Sequence, residues 1–322
     1  EMKKVLVTGA AGFIGSSFIK KLLEEDNFEV LGLDNINDYY SRELKLYRLE
    51  DLRCRNFSFE KIDINDPNLL EKTFINFEPE MVINLAAQAG VRYSSKNPTV
   101  YVDSNINGFF NLLNLSRKYK IERFIYASSS SVYGSSEIIP FNENKSPTKP
   151  ISLYGSTKLS NEKMAISFSE NFDLRTLGLR FFTVYGPKGR PDMAYFSFTK
   201  DILNENQITI FNNGKMSRDM TFIDDICEGI FNCLSFNFKK RPFEILNLGN
   251  DYPIELMKLI KFIEDRVKKK ANIIYKDSPE EVKHTHADLN KSLEMIDYSP
   301  QTSFEDGMDK FLKWYFEYFN EK

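Results

Sequence analysis

Tyr154 and Lys158 stand four residues apart in a stretch with helical periodicity, so their side chains share one face. An ammonium beside a phenol stabilises the phenolate and lowers its pKa, which a base working near neutral pH requires. The spacing alone says little, because of the 16 tyrosines Tyr318 also has a lysine four positions on. Tyr154 is set apart by Ser128-Ser129-Ser130-Ser131-Val132-Tyr133-Gly134, which ends an apolar, strand-like run. In an open α/β sheet the carboxyl ends of strands form the ligand crevice. Hydroxyls of Ser129, Ser130 and Ser131 at such a place can hydrogen-bond a polyol and relay its proton. A serine run also suits a solvated loop, but this one follows an apolar strand and precedes an aromatic residue.

A second constellation lies at the start of the chain. Val5-Leu6-Val7-Thr8-Gly9-Ala10-Ala11-Gly12-Phe13-Ile14-Gly15 sets three glycines directly after a strand and at the opening of a helix. Gly9 permits a tight turn, Gly12 lets a pyrophosphate approach the backbone, and Gly15 lets the helix pack close to the strand. Phosphates would meet free N–H groups and the positive end of the helix dipole. Asp34, about 20 residues on, stands where an acceptor for a ribose 2′-hydroxyl belongs. A carboxylate there repels a 2′-phosphate, which favours NAD over NADP; a helix N-cap is the competing role for Asp34. Asp63 closes the third strand and is a candidate for the adenine or a plain turn residue. Phe13, Ile14, Asn35 and Ile64 neighbour these positions and join them as candidate cofactor contacts.

These residues need a frame, and the first 180 residues supply one. Strand-like runs at 4–8, 29–33, 57–62, 81–86, 123–128 and 175–181 alternate with helical stretches at 14–25, 41–53, 67–77, 100–119 and 154–169. That alternation predicts parallel βαβ units and a doubly wound α/β sheet of Rossmann type. After Phe181 the alternation breaks at the loop Gly186-Pro187-Lys188-Gly189-Arg190-Pro191. Helices at 195–204, 254–268 and 304–319, with strands at 208–211, 221–223, 245–248 and 273–275, predict a smaller C-terminal α/β lobe. Residues 1–182 are the expected cofactor domain and 183–322 the expected substrate lobe, with segments around 220–250 packing back on the first.

Composition narrows the function classes. Forty-three basic against 46 acidic residues give a net charge of −3, so nothing points to nucleic acid or an anionic membrane. Cys54, Cys227 and Cys233 suit neither a disulfide framework nor a zinc site, and fit a reducing cytosol. His284 and His286 form an H-x-H pair with no completing ligands, so no metal is expected. Lys3-Lys4 leads straight into a strand and glycines, not into a signal peptide, and a cytoplasmic protein is the expectation.

Taken together, the sequence resembles the extended short-chain dehydrogenase/reductase family, and within it the nucleotide-sugar 4-epimerases. The resemblance spans almost the whole chain. Its carriers are Thr8-Gly9-x-x-Gly12-x-x-Gly15, Leu85-Ala86-Ala87-Gln88-Ala89-Gly90, the serine run, Tyr154-x-x-x-Lys158 and Leu179-Arg180-Phe181-Phe182-Thr183-Val184-Tyr185-Gly186-Pro187. It implies a catalytic set of Ser129, Tyr154 and Lys158. It further implies that Leu85–Gln88 line the NAD site, and that Asn105 and Phe181–Phe182 position the nicotinamide and substrate. The implied chemistry passes through a 4-ketose, with NAD regenerated in each turnover. Homodimerisation through the two long helices at 100–119 and 154–169 is a family-based expectation; their apolar residues suit ordinary core equally.

Related dehydratases carry an Asp-Glu pair at positions 130 and 131, and related decarboxylases a Glu at 131. Both are serine here, which argues for plain epimerisation. Gly189-Arg190-Pro191-Asp192-Met193-Ala194 looks like the signature of UDP-glucuronate 4-epimerases. Arg190 on a proline-braced loop could pair bidentately with a C6 carboxylate, helped by Ser130, Ser131 and Thr183; a solvated loop arginine is the competing role. Lys188 departs from the pattern, since such epimerases commonly have Trp there. Arg218 resembles the family's contact to the uridine diphosphate, with a salt bridge to Asp219 as its alternative, and Arg92 is a further candidate for the substrate pocket. The expected reaction is therefore conversion of UDP-glucuronate to UDP-galacturonate. Neutral or N-acetylated UDP-hexoses are the near alternative, and a non-catalytic NAD-binding protein the distant one.

Overall fold

The computed structural model describes residues 2–238, 241–277 and 282–320. Its central sheet contains β1 (Lys3–Thr8), β2 (Phe28–Asp34), β3 (Phe57–Lys61), β4 (Met81–Asn84), β5 (Arg123–Ser129) and β6 (Thr176–Phe181). These are the six strands that the alternation predicts. Their spatial order is β3-β2-β1-β4-β5-β6, every pair parallel. Order reverses between β1 and β4, and a crevice opens there at the strands' carboxyl ends. Parallel strands covered on both faces need apolar residues on both, and Val5, Leu6, Val7, Val82 and Ile83 are all fully buried.

Helices α1 (Phe13–Leu23), α2 (Arg42–Glu50) and α3 (Pro67–Phe77) cover one half of this sheet. Asp66 caps α3 by accepting from the N–H groups of Asn68 and Leu69, with Pro67 in its first turn. The stretch expected as one helix over 100–119 is composite. After α4 (Val91–Lys96), α5 (Thr99–Tyr101) runs through a π-helical stretch, Val102–Gly108, into α6 (Phe109–Lys118). The π segment carries Asn105 towards the cleft wall, where its side chain braces a loop (below). The longest helix, α7 (Leu153–Phe172), starts at Ser152, whose hydroxyl accepts from Gly155 N–H. That cap fixes Tyr154 in the first turn of α7 and Lys158 one turn on.

Beyond Phe182 come β7 (Thr183–Tyr185), α8 (Ala194–Leu203), β8 (Gln207–Phe211), β9 (Ser217–Phe222) and α9 (Ile223–Cys233). The seventh strand of the main sheet, β10 (Phe243–Leu248), then pairs with β6. It is followed by β11 (Pro253–Glu255), α10 (Leu256–Val267), β12 (Asn272–Lys276), α11 (Asn290–Ile296) and α12 (Phe304–Asn320). Two small sheets result, β11-β9-β7 and β12-β8. Among the described residues no helix is long and apolar enough to cross a membrane.

Candidate active site

One continuous cleft of about 990 Å³ runs from the glycine turn after β1, past the ends of β4 and β5, to the small sheets. The glycine turn is built as the motif requires. Gly9 has φ +73°, and a Cβ there would collide with the backbone of Leu85 and Ala86. A Cβ on Gly15 would overlap the carbonyl oxygen of Gly9, so α1 packs against the turn as only glycine allows. No side chain caps the N-terminus of α1, and the N–H groups of its first turn face the cleft beside Phe13 and Ile14. This is a cradle suited to a dinucleotide pyrophosphate.

Asp34 does not cap a helix. Its carboxylate accepts from Ile36 N–H at 2.8 Å and Ala11 N–H at 3.1 Å, and so stands fixed in the cleft wall. Asn35 donates to Asp63 Oδ2 at 2.9 Å, while Asp63 Oδ1 closes a turn on Asn65 N–H at 2.8 Å. Both, with Ile64 and the Leu85–Ala86–Ala87–Gln88 stretch, line the same end of the cleft. Asn105 does not line it. Its Oδ1 accepts from Gln88 N–H at 2.8 Å and its Nδ2 donates to Gln88 O at 3.0 Å and Thr157 Oγ1 at 3.1 Å. Asn105, expected to help position the nicotinamide and substrate, has its amide engaged in holding Gln88 and α7.

Tyr154, Lys158 and Ser129 meet at the centre of the cleft. Ser129 lies close enough to the Tyr154 phenol to favour its ionised form, and its hydroxyl accepts from Ser131 N–H at 3.1 Å. Lys158 Nζ lies 5.9 Å from the Tyr154 ring centroid and donates to Ala127 O at 2.9 Å. Burial pushes the Tyr154 phenol up, against the opposing pull of Ser129 and the Arg190 charge. Burial also brings the Lys158 ammonium down to about 8. In the protein alone desolvation dominates the Tyr154 phenol, while the Lys158 ammonium is turned to the Ala127 carbonyl.

Ser130, Ser131, Thr183, Phe181, Arg190, Arg92 and Arg218 all line the cleft. Arg190 is held internally, Nε donating to Asp192 Oδ1 at 3.0 Å and Nη2 to Asp192 Oδ2 at 2.7 Å. The edge expected to grip a carboxylate bidentately is therefore engaged by Asp192. Arg92 stacks on Phe211 of β8, 4.5 Å from the ring centroid. Arg218 faces the cleft, while Asp219, the next residue of β9, points to the opposite side and is fully buried. Asp219 accepts from the N–H groups of Asn250, Asp251 and Ala287, which argues against the alternative of an exposed pair with Arg218. His284 meets Ser217 and His286 meets Asp251.

Several supports escaped the sequence reading. Arg48, only 1% exposed, donates to the carbonyls of Lys188, Gly189 and Ala11 and to the Tyr40 hydroxyl. Lys45 bonds Asn37 beside Asp34. Lys188 packs over Tyr47 and pairs with Asp51. Glu162, one turn beyond Lys158 on α7, grips Arg180 of β6 at 2.8 Å through both oxygens and accepts from Ser128 at 2.6 Å. Only Glu162 carried a visible signal, since it continues the four-residue spacing of Tyr154 and Lys158.

The sequence matches the NAD dependent epimerase/dehydratase family over residues 5–249. Protein CapI of Staphylococcus aureus is 45% identical, over 99% of this chain and 100% of its own length. UDP-glucuronate 4-epimerase 4 of Arabidopsis thaliana is 42% identical, over 98% of this chain and 76% of its own. The crystal structure of UDP-glucuronic acid 4-epimerase from Bacillus cereus, in complex with UDP-glucuronic acid and NAD, superposes with a TM-score of 0.92. That structure is 34% identical and covers 98% of this chain and 99% of its own. With a glycine cradle for a dinucleotide, a tyrosine–lysine–serine centre and these relatives, the chain belongs to the NAD dependent epimerase/dehydratase family.

Proposed function

We propose that the protein interconverts UDP-glucuronate and UDP-galacturonate by NAD-dependent 4-epimerisation. The observation that carries this reading is that Arg190, Ser129, Ser130 and Ser131 line one cleft with the Tyr154 phenol, which feels both Ser129 and the Arg190 charge. Arg190, Ser130, Ser131 and Thr183 together suit a C6 carboxylate, and the serines at 130 and 131 supply no acid or base for elimination. Tyr154, bridged by Ser129, takes the C4 hydroxyl proton and later returns it. Lys158 supplies the positive charge that favours phenolate once it turns from Ala127 O. NAD, when bound, would supply the acceptor and then the donor of the C4 hydride. The glycine turn and the open end of α1 would hold its pyrophosphate, and Asp34 its ribose.

Residues 183–322, with Arg218 and Arg92, serve as the nucleotide-sugar side of the cleft and residues 1–182 as the cofactor side. Exposed Val102, Phe110 and Phe172 on the helices around α6 and α7 support a homodimer through that face. A free exposed Cys54 supports a cytoplasmic setting. The test is incubation of the NAD-loaded protein with UDP-glucuronate and separation of the sugars. UDP-galacturonate is the expected product; only starting material, or only UDP-pentose, overturns the reading.

A further inference from the structure

Tyr39 and Tyr40 follow Asp34 in the segment that leads from β2 to α2, on the cofactor side of the cleft, and both reach the 186–192 loop. Tyr39 Oη donates to Asp192 Oδ2 at 3.2 Å. Asp192 in turn holds Arg190, itself a cleft-lining residue, by Nε and Nη2, which leaves Nη1 outside that grip. Tyr40 accepts from Arg48 Nη1 at 2.6 Å, and Arg48 also anchors the carbonyls of Lys188 and Gly189. Tyr39 is itself fixed. Its ring packs on Tyr93 at 4.8 Å between centroids, and its hydroxyl fills the space over Gly90 that any Cβ would need.

A carboxylate beside Arg190 is an odd neighbour for a site that binds an anionic sugar. By charge alone it weakens the attraction. Its bidentate geometry offers the explanation, because a guanidinium gripped by two bonds presents one defined edge. Resting on the reading of Arg190 as the contact to the sugar carboxylate, we propose that Tyr39 and Asp192 are positioning residues for uronate specificity. They set the plane of Arg190 from the cofactor side of the cleft, so that Nη1 alone meets the substrate. Cofactor loop and sugar-recognition loop are thereby mechanically joined, through the Tyr39 hydroxyl and through Arg48.

Charge and geometry make opposite predictions for Asp192→Asn. Removing a negative charge next to Arg190 strengthens binding of an anionic sugar if charge dominates, and weakens it if aim dominates. The experiment is calorimetric titration of the NAD-loaded full chain with UDP-glucuronate and, separately, with UDP. Tyr39→Phe should weaken UDP-glucuronate about fivefold and Asp192→Asn about tenfold, with UDP affinity held within about twofold. Tighter or unchanged binding of UDP-glucuronate in both variants overturns the proposal, as does an equal loss for UDP. Tyr39→Phe keeps the ring stacked on Tyr93, so it carries the test should Asp192→Asn fold poorly. Arg190→Ala separates the two levels. If it binds UDP-glucuronate like wild type, the carboxylate reading fails; if it loses binding while Tyr39→Phe and Asp192→Asn do not, only the positioning role fails.

Discussion

Glu162→Gln tests how the catalytic helix is anchored. The Glu162–Arg180 pair ties α7 to β6 with side chains 1% and 5% exposed, and the guanidinium lies 4.7 Å from the Tyr133 ring centroid. Among the described residues Arg180 Nη1 has no hydrogen-bond partner, so Glu162 is the guanidinium's principal compensation. Loss of one partner of a buried pair strands the other charge and costs about 3–5 kcal/mol; the amide keeps some hydrogen bonding, so about 3 kcal/mol is expected. In a chain of this size that corresponds to a fall of about 4 °C in unfolding midpoint. Differential scanning calorimetry on the NAD-loaded protein measures it, and a shift of this origin should barely respond to salt. The double variant Glu162→Met, Arg180→Met should recover most of the loss, because two apolar side chains leave no stranded charge. A midpoint within about 1 °C of wild type for Glu162→Gln, well below what a buried pair supports, would refute the reasoning. So would a double variant as unstable as the single one.

Further predictions bear on the site itself. Tyr154→Phe should lower kcat about 10³-fold with unchanged unfolding midpoint and NAD retention, since only the proton carrier is lost; substantial residual turnover speaks against Tyr154 as the base. Lys158→Met should end turnover yet stabilise the NAD-free protein by up to about 3 kcal/mol at pH 7, because burial brings the ammonium down to about 8. The folded wild type binds fewer protons than its unfolded chain between about pH 8 and 10.5 and gains stability as pH rises through that window. The variant's advantage in urea unfolding should therefore shrink from pH 7 to pH 10, and a constant difference contradicts the assignment. Gly15→Ala forces a Cβ onto the Gly9 carbonyl and should cost about 3 kcal/mol and at least about tenfold in NAD affinity; near-wild-type binding by fluorescence titration would show that the turn can relax.

What was legible in the sequence is what local physics dictates. The inner strands read clearly because a parallel sheet buried on both faces demands apolar runs, and edge strand β3 because Phe57 and Phe59 alternate with polar residues. The glycine turn read clearly because only Gly9 and Gly15 can occupy their positions, and the placement of Tyr154 beside Lys158 needs nothing beyond helical spacing and a cap at Ser152. The hold of Asn105 on Gln88 was not legible, because Asn105 lies in a π-helical stretch and periodicity carries no sign of such a stretch. Arg48 sits in Arg42-Glu43-Leu44-Lys45-Leu46-Tyr47-Arg48, which reads as a solvated charged helix, yet it is among the most buried side chains in the protein. Its partners are carbonyls some 140 positions away, and hydrophobic pattern encodes which face is buried, never which distant carbonyl waits there. The bidentate hold of Asp192 on Arg190 is local in sequence but depends on Tyr39, 153 positions away, to keep its direction. The groups proposed to meet the substrate are thus local features, and the groups that hold them in place are long-range polar pairings. A chain that kept Tyr154, Lys158 and Arg190 but lost Arg48 or Asp192 would still display every motif of the site. Its sugar-recognition loop would have no fixed bearing on the cofactor, so intact motifs alone are a weaker guide to uronate turnover than the pairs that hold them.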